Sequence, residues 1–146
     1  DGDVIAIPDD ASNGGRALKV RANAGLITLK AEAGSNPTVA DIDTYNVQIE
    51  IKEMGAADIP SVLPDVTAAV INGNYALDYG IDPTTAIYEE TEYDDDSYFC
   101  LMAVRSSDAD DAVYKRIVEL FQSETTKQIF QDEFNGYFVP AWEVQK

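Results

Sequence analysis

The apolar run Val4 to Ile7, rich in β-branched residues and closed by Pro8, reads as a short buried strand that ends in a turn. Beyond two acids and a polar knot, Ala17, Leu18 and Ala22 recur at helical spacing. Asp10, Ser12 and Asn13 are each suited to cap the start of that helix, and Gly25 its end. The stretch GLITLKAEAGSNPTVADI, punctuated by Gly34 and Pro37, reads as a loop-rich connection. Val47 to Ile51 then alternates apolar and polar residues as a strand does, and Ala56 to Leu63 leaves room for about two helical turns before Pro64. TAAVI reads as a third short strand and NGNYALDYG as a turn into a helix that stops at Gly80. Strands alternating with helices in this order predict an α/β fold whose mainly parallel sheet is covered by helices, with right-handed crossovers.

The pattern changes at EETEYDDD, an acidic run that reads as a solvated linker or hinge. The continuous apolar run YFCLMAV, Tyr98 to Val104, predicts a central strand. Val113, Ile117, Leu120 and Phe121 recur at helical spacing, and Ser123 caps a second helix that carries Ile129, Phe130 and Phe134 before Asn135 and Gly136 end it. Both stripes read as core. The predicted organisation is therefore a lobe over residues 1–90, an acidic hinge over 91–97 and a strand-helix-helix segment over 98–146.

Charge and residue inventory narrow the function. The 146 residues carry 10 Lys and Arg against 27 Asp and Glu, a formal charge of −17, which opposes nucleic acid and anionic lipid as partners. No histidine is present, which removes His-based triads and the usual zinc sites. The single cysteine, Cys100, lies inside the apolar run and reads as a buried small hydrophobe rather than a nucleophile. Asp108, Asp110 and Glu119 fall at three positions of a calcium loop, but Val113 stands where that loop requires glycine, so no metal site is expected. No acid pair stands out from the acidic background as a catalytic pair, and neither an enzyme nor a cofactor is expected.

In open α/β sheets, ligands sit beyond the carboxyl ends of the strands. Two such ends are distinctive: Pro8 to Arg16, and Ile71-Asn72-Gly73-Asn74. The first places a helix N-terminus and the planar guanidinium of Arg16 together, a natural seat for an anion. Asn72 offers a donor and an acceptor on one amide. Asn13, Arg16 and Asn72 together suit an α-amino acid headgroup, with Asp9, Asp10 and Asn74 as neighbours of the site. The alternative is that Arg16 is a surface charge and that Asn13 and Asn72 only cap helices.

The segments VIAIPDDASNGGRAL, AGLITLK, TVADI, AAVINGNYAL and the closing VPAW, in this order, resemble the methionine-binding lipoproteins of bacterial ABC transporters, the NlpA lipoprotein family. The resemblance covers nearly the whole chain. It implies a type 2 periplasmic-binding fold of two α/β lobes, tethered outside the cytoplasmic membrane by a lipid on an N-terminal cysteine and closing on methionine in the cleft between the lobes. It further implies that Arg16 binds the ligand carboxylate while Asn13 and Asn72 hold the headgroup. Two departures stand out. Asp9-Asp10 replaces the family's Asn-Asp, and Asp96-Ser97-Tyr98-Phe99-Cys100 replaces its S-P-Y-x-N. The family's first lobe, which brings aromatic and histidine residues to the methionine side chain, has no counterpart ahead of Asp1.

The resulting expectation is a substrate-binding lipoprotein fragment: a second lobe plus a C-terminal segment returning to the first, binding methionine or a related amino acid and delivering it to an ABC permease. The alternative is a ligand-free interaction fragment that oligomerises through its exposed C-terminal segment, with a segment-exchanged homodimer as the expected form.

Overall fold

The computed structural model describes residues 2–90 and 98–143. They fall into two compact units, Asp1–Glu90 and Thr91–Lys146. The acidic hinge expected over 91–97 lies outside the described residues.

The first unit runs β1 (Asp3–Pro8), α1 (Ala11–Asn23), β2 (Ile27–Leu29), β3 (Ile42–Tyr45), β4 (Ile49–Met54), α2 (Ile59–Val62), β5 (Ala68–Ala69) and α3 (Gly73–Tyr79). β1 is the middle strand of a parallel sheet of order β4-β1-β5, with Ile5 paired to Ile51 on one side and Ala68 on the other. A strand bonded on both edges can be apolar throughout, and Ile5, Ala6 and Ile7 are all buried. Ile5 and Ile7 meet Ala17 and Leu18 of α1, and Ile27 and Ile42 complete the cluster. The sheet therefore holds α1 by its apolar stripe and leaves the start of the helix at the carboxyl end of β1.

The connection expected to be loop-rich contains an antiparallel pair. Ile27 faces Tyr45 and Thr28 faces Thr44, with a bulge before Leu29 meets Ile42. β2 is too short to register as a periodic pattern. Its pairing is fixed instead by burial of Ile27 and Ile42, one on each strand. β4 starts two residues later than the alternation suggests and runs on to Met54, because its ladder follows β1 from Asp3 to Pro8. α2 is shorter than expected. Proline lacks the N–H a helix interior needs, so Pro60 is tolerated only in the first turn, and the chain continues as a 3-10 turn over Leu63–Asp65. α3 ends at Gly80 in the left-handed region, φ +80°.

The second unit holds α4 (Ala112–Phe121) and α5 (Glu124–Asp132). Asp111 caps α4 by accepting from the Val113 N–H at 2.7 Å, and Ser123 caps α5 by accepting from Thr126 at 3.3 Å. The central strand expected over Tyr98 to Val104 does not form among the described residues. A strand exists by pairing, and no sheet ladder among the described residues includes this run. Cys100 is accordingly exposed, not buried.

The helical stripes also differ from the expected core. Val113 is 65% exposed, Leu120 55% and Phe121 52%. Phe121, Phe130 and Trp142 meet edge to face or tilted, with ring centroids 6.1–6.4 Å apart, and Phe134 stands 5.1 Å from Phe138. These rings pack on one another without becoming fully buried; every described residue that is buried lies in the first unit. No helix among the described residues is long and apolar enough to cross a membrane.

Candidate ligand-binding site

The site begins where β1 delivers the chain to α1. Asp9 continues the ladder, donating its N–H to the Met54 carbonyl at 2.9 Å, and Asp10 then caps the helix. One Asp10 oxygen accepts from the Asn13 backbone N–H at 2.9 Å, and the other accepts from the Asn13 side-chain amide at 3.0 Å. Those bonds hold the Asp10 carboxyl below the usual aspartate range. The helix end expected to be an anion seat is therefore occupied by a carboxylate of the chain itself. Asp10 meets the Asn13 N–H, one of the orphan donors of the helix end, and Asn13 is oriented by the cap instead of being the cap.

Two glycines let this helix approach its surroundings closely. A Cβ on Gly14 would stand 2.7 Å from the Pro8 carbonyl oxygen, and one on Gly15 would stand 2.9 Å from the Asn36 Cα. Arg16 follows, three residues beyond Asn13, so the two side chains share one helix face.

The second strand end meets that face. β5 is only two residues long, but the Val70 N–H donates to the Ala6 carbonyl at 2.9 Å and carries the ladder to the edge of α3. Asn72 occupies the N-cap position of α3, yet its side chain makes no capping bond. Its amide N–H instead donates to the Asn13 side-chain oxygen at 2.8 Å, 59 positions away in the sequence. The Asn72 Oδ1 is buried and has no hydrogen-bond partner among the described residues. Both asparagines thus do something other than capping, and a line of contacts runs from Asp10 through Asn13 to Asn72.

Arg16 is held by a residue that the sequence pattern does not suggest. Its Nε donates to Glu90 Oε2 at 2.7 Å and its Nη2 donates to the same oxygen. The side chains are 30% and 17% exposed, so the pair is partly desolvated. Glu90 belongs to the acidic run read as a solvated linker, and this position departs from that reading. No local signal could have found it: the partners are 74 residues apart, and one acid among many carries no mark.

Asp9 and Asn74 are exposed. Asp9 joins the Met54 carbonyl through its backbone N–H, and Asn74 makes no contact that would join it to Asn13, Arg16 or Asn72 in the hydrogen bonds described. A small cavity of about 50 Å³ lies beside the α1 N-terminus, lined by Asp9, Asp10, Gly14, Gly15 and Pro37 among others. A larger groove of about 330 Å³ lies in the second unit, lined by Met102, Val104, Tyr114 and Val118 with Lys115 and Glu119 at its polar side. Among the described residues, no cluster of three or more acids and cysteines is arranged to hold a metal. What the constellation can do chemically is hold a small zwitterion: guanidinium donors for an anion, and a buried amide oxygen for a donor.

Comparison with known proteins matches residues 1–142 to a family model described as NlpA lipoprotein. The D-methionine-binding lipoprotein MetQ of Escherichia coli O157:H7 is 34% identical over 145 residues, 97% of this chain and 53% of the relative. A nutrient binding protein from Burkholderia cenocepacia, solved bound to methionine, is 37% identical with a TM-score of 0.80, over 96% of this chain and 59% of that one. A periplasmic substrate-binding protein of an ABC transporter from Coxiella burnetii is 30% identical with a TM-score of 0.78, over 96% and 58%. The chain spans about half the length of the curated relatives it matches. All three of these relatives are named as binding proteins, and the two solved ones share the α/β fold of this chain.

Proposed function

Because the chain belongs to the NlpA lipoprotein family, we propose that it is the second lobe and returning C-terminal segment of a substrate-binding lipoprotein of an ABC importer. In this reading a first lobe completes the cleft, methionine or a related amino acid is held there, and the loaded protein delivers it to the permease. The protein works outside the cytoplasmic membrane, anchored by an N-terminal lipid. Side-chain selectivity belongs to the first lobe.

The observation that carries the reading is the grouping of Arg16, Asn13 and Asn72 at two adjacent strand ends, with the buried Asn72 Oδ1 lacking a donor among the described residues. A buried acceptor without a partner is costly, on the order of 1–3 kcal/mol. A ligand ammonium would satisfy it. The ligand carboxylate would take the guanidinium of Arg16, which already binds one carboxylate, that of Glu90. The anion therefore sits on the arginine and not on the helix end that Asp10 caps.

Calorimetry with L-methionine on the two-lobed protein tests this. Arg16→Ala and Asn72→Ala are each expected to weaken binding at least tenfold, about 1.4 kcal/mol. Lys30→Ala should leave it unchanged, since the Lys30 ammonium is engaged by the Ala40 carbonyl at 2.8 Å. Binding by Arg16→Ala as tight as by the parent would make the arginine a surface charge.

The exposed apolar residues of α4 favour a second reading, in which the chain serves as an interaction fragment and associates through its C-terminal segment, a segment-exchanged homodimer being one form.

A further inference from the structure

We propose that Asp10 is the positioning residue for Asn72: acting through Asn13, it fixes which end of the Asn72 amide faces the ligand, so that the site selects a ligand bringing a hydrogen-bond donor. The proposal rests on the amino-acid-binding reading above, and it names what would select an α-amino acid over the corresponding keto acid. Its basis is the direction of the hydrogen bonds. An ionised carboxylate only accepts, whereas an amide accepts at one end and donates at the other. Asp10 Oδ2 accepts from Asn13 Nδ2 at 3.0 Å, which leaves Asn13 Oδ1 to accept from Asn72 Nδ2 at 2.8 Å. The Asn72 amide is thereby turned with its Nδ2 toward Asn13. Its other end, Oδ1, is the buried acceptor without a hydrogen-bond partner among the described residues.

Reversing an amide in this chain of bonds sets like against like. With Asn13 turned over, its oxygen would face the Asp10 carboxylate and its NH2 would face that of Asn72, so both bonds would be lost together. The carboxylate cannot relieve this by turning. Its Oδ1 accepts from the Asn13 backbone N–H at 2.9 Å, the capping bond of α1, which keeps Oδ2 on the Asn13 side chain. The Asp10 carboxyl is also charged near neutrality, because its bonds to Asn13 hold its pKa below the usual aspartate range. A cap at the end of β1 thus dictates the polarity of a side chain 62 positions on, beyond β5, although the two do not touch in the hydrogen bonds described.

Asp10→Asn inverts the chain by the same rules. Only the oxygen of the new amide can accept the Asn13 backbone N–H, so its NH2 stands where Oδ2 stood. Asn13 then turns its oxygen to that NH2 and its own NH2 to Asn72, whose oxygen accepts and whose NH2 faces the site. In the two-lobed protein, calorimetry with L-methionine and with its keto acid, which has a carbonyl oxygen in place of the ammonium, reads the change. The parent is expected to prefer methionine. Asp10→Asn is expected to lower the ratio of the two affinities about tenfold or more, and to bind the keto acid more tightly than the parent does. Damage to the fold weakens both ligands and cannot produce that gain. An unchanged ratio, or a keto acid bound no better than by the parent, would overturn the proposal.

A ligand-free readout on the 146-residue chain is a double-mutant cycle in thermal unfolding. Asn72→Asp alone sets a carboxylate on each side of Asn13, whose NH2 can turn to only one of them, and is expected to lower the midpoint. Adding Asp10→Asn lets Asn13 accept from position 10 and donate to position 72, so the double variant should recover part of that loss. Adding Asp10→Ser instead removes the same charge and keeps a cap without offering an NH2, and should recover less. Effects that simply add, or equal recovery with serine, contradict the proposal. Failure of the underlying reading is distinct: the two-lobed parent then binds no methionine, which ends the ligand assignment, while the cycle still shows the coupling.

Discussion

Arg21 lies in the last turn of α1 with 2% of its surface exposed, and its three guanidinium nitrogens have no hydrogen-bond acceptor among the described residues. Burial pushes its pKa down, and the nearby Tyr45 hydroxyl opposes that shift only in part. An unpaired buried charge costs several kcal/mol, and replacing it by an apolar side chain of similar volume is often neutral or stabilising. Arg21→Met is therefore expected to raise the thermal midpoint by several degrees, roughly 4–8 °C for each kcal/mol gained in a unit of this size. A lowered midpoint in thermal unfolding would contradict that. Asp10 gives a pH-dependent prediction. Its folded pKa is depressed by the Asn13 bonds, so its stabilisation is present above the ordinary aspartate value and is lost as pH falls through the lower folded value. Asp10→Ala should cost about 1 kcal/mol near neutrality, the usual worth of an N-cap, and the gap between parent and variant should narrow as pH falls below the ordinary aspartate value toward the lower folded one. Denaturant unfolding at about pH 7 and about pH 3 measures it; a gap as wide at the lower pH as at the higher would show that the charge is not the source. At this scale Asp10, Asn13, Arg16 and Asn72 could be named in advance because strand ends and caps leave a local mark. Glu90 could not, since its partner is set by the fold.

The placement of α1 is the element on which the site depends. Gly14 and Gly15 allow its first turn to touch the Pro8 carbonyl and the Asn36 backbone, at distances where backbone cannot yield as a side chain can. Alanine is about 1 kcal/mol better than glycine inside a helix. Here the contact outweighs the propensity. Gly15→Ala is expected to destabilise the first unit by about 1–3 kcal/mol, the range for an overpacked site. Chemical denaturation showing a gain in stability would mean that the loop at Asn36 moves aside freely. Most elements of the first unit were legible because their apolar residues follow the helix and strand periods, from β1 through α3. β2 and β3 were not, because three or four residues cannot display a period and their pairing depends on Ile27 and Ile42 entering a shared core. Tyr98 to Val104 shows the reverse: an apolar run carries the composition of a strand without supplying the neighbour a strand must bond to.

The whole chain combines a charge of −17 with a second unit whose apolar face stays in water, including Leu101 at 81% and Val113 at 65% exposure. Covering such surface is favourable by about 25 cal/mol per Å², while like charge resists close approach and is screened within about 10 Å at 0.1 M salt. The 146-residue chain alone is therefore expected to associate, and to do so more strongly as salt rises. Light scattering that finds a monomer at high protein concentration and at 0.5 M salt, an added-salt level well above physiological, would contradict this. Family and fold were readable at this scale because whole segments such as VIAIPDDASNGGRAL and AAVINGNYAL keep their order, whereas the cover for the second unit is not written in its own residues. The central claim is that Arg16, Asn13 and Asn72 form one half of an amino-acid headgroup site. Its most direct test is a crystal structure of the two-lobed protein grown with L-methionine. The account predicts the ligand carboxylate on the Arg16 guanidinium and its ammonium within hydrogen-bond distance, about 3 Å, of Asn72 Oδ1; a headgroup held away from both residues, with Asn72 Oδ1 still unpartnered, would contradict it.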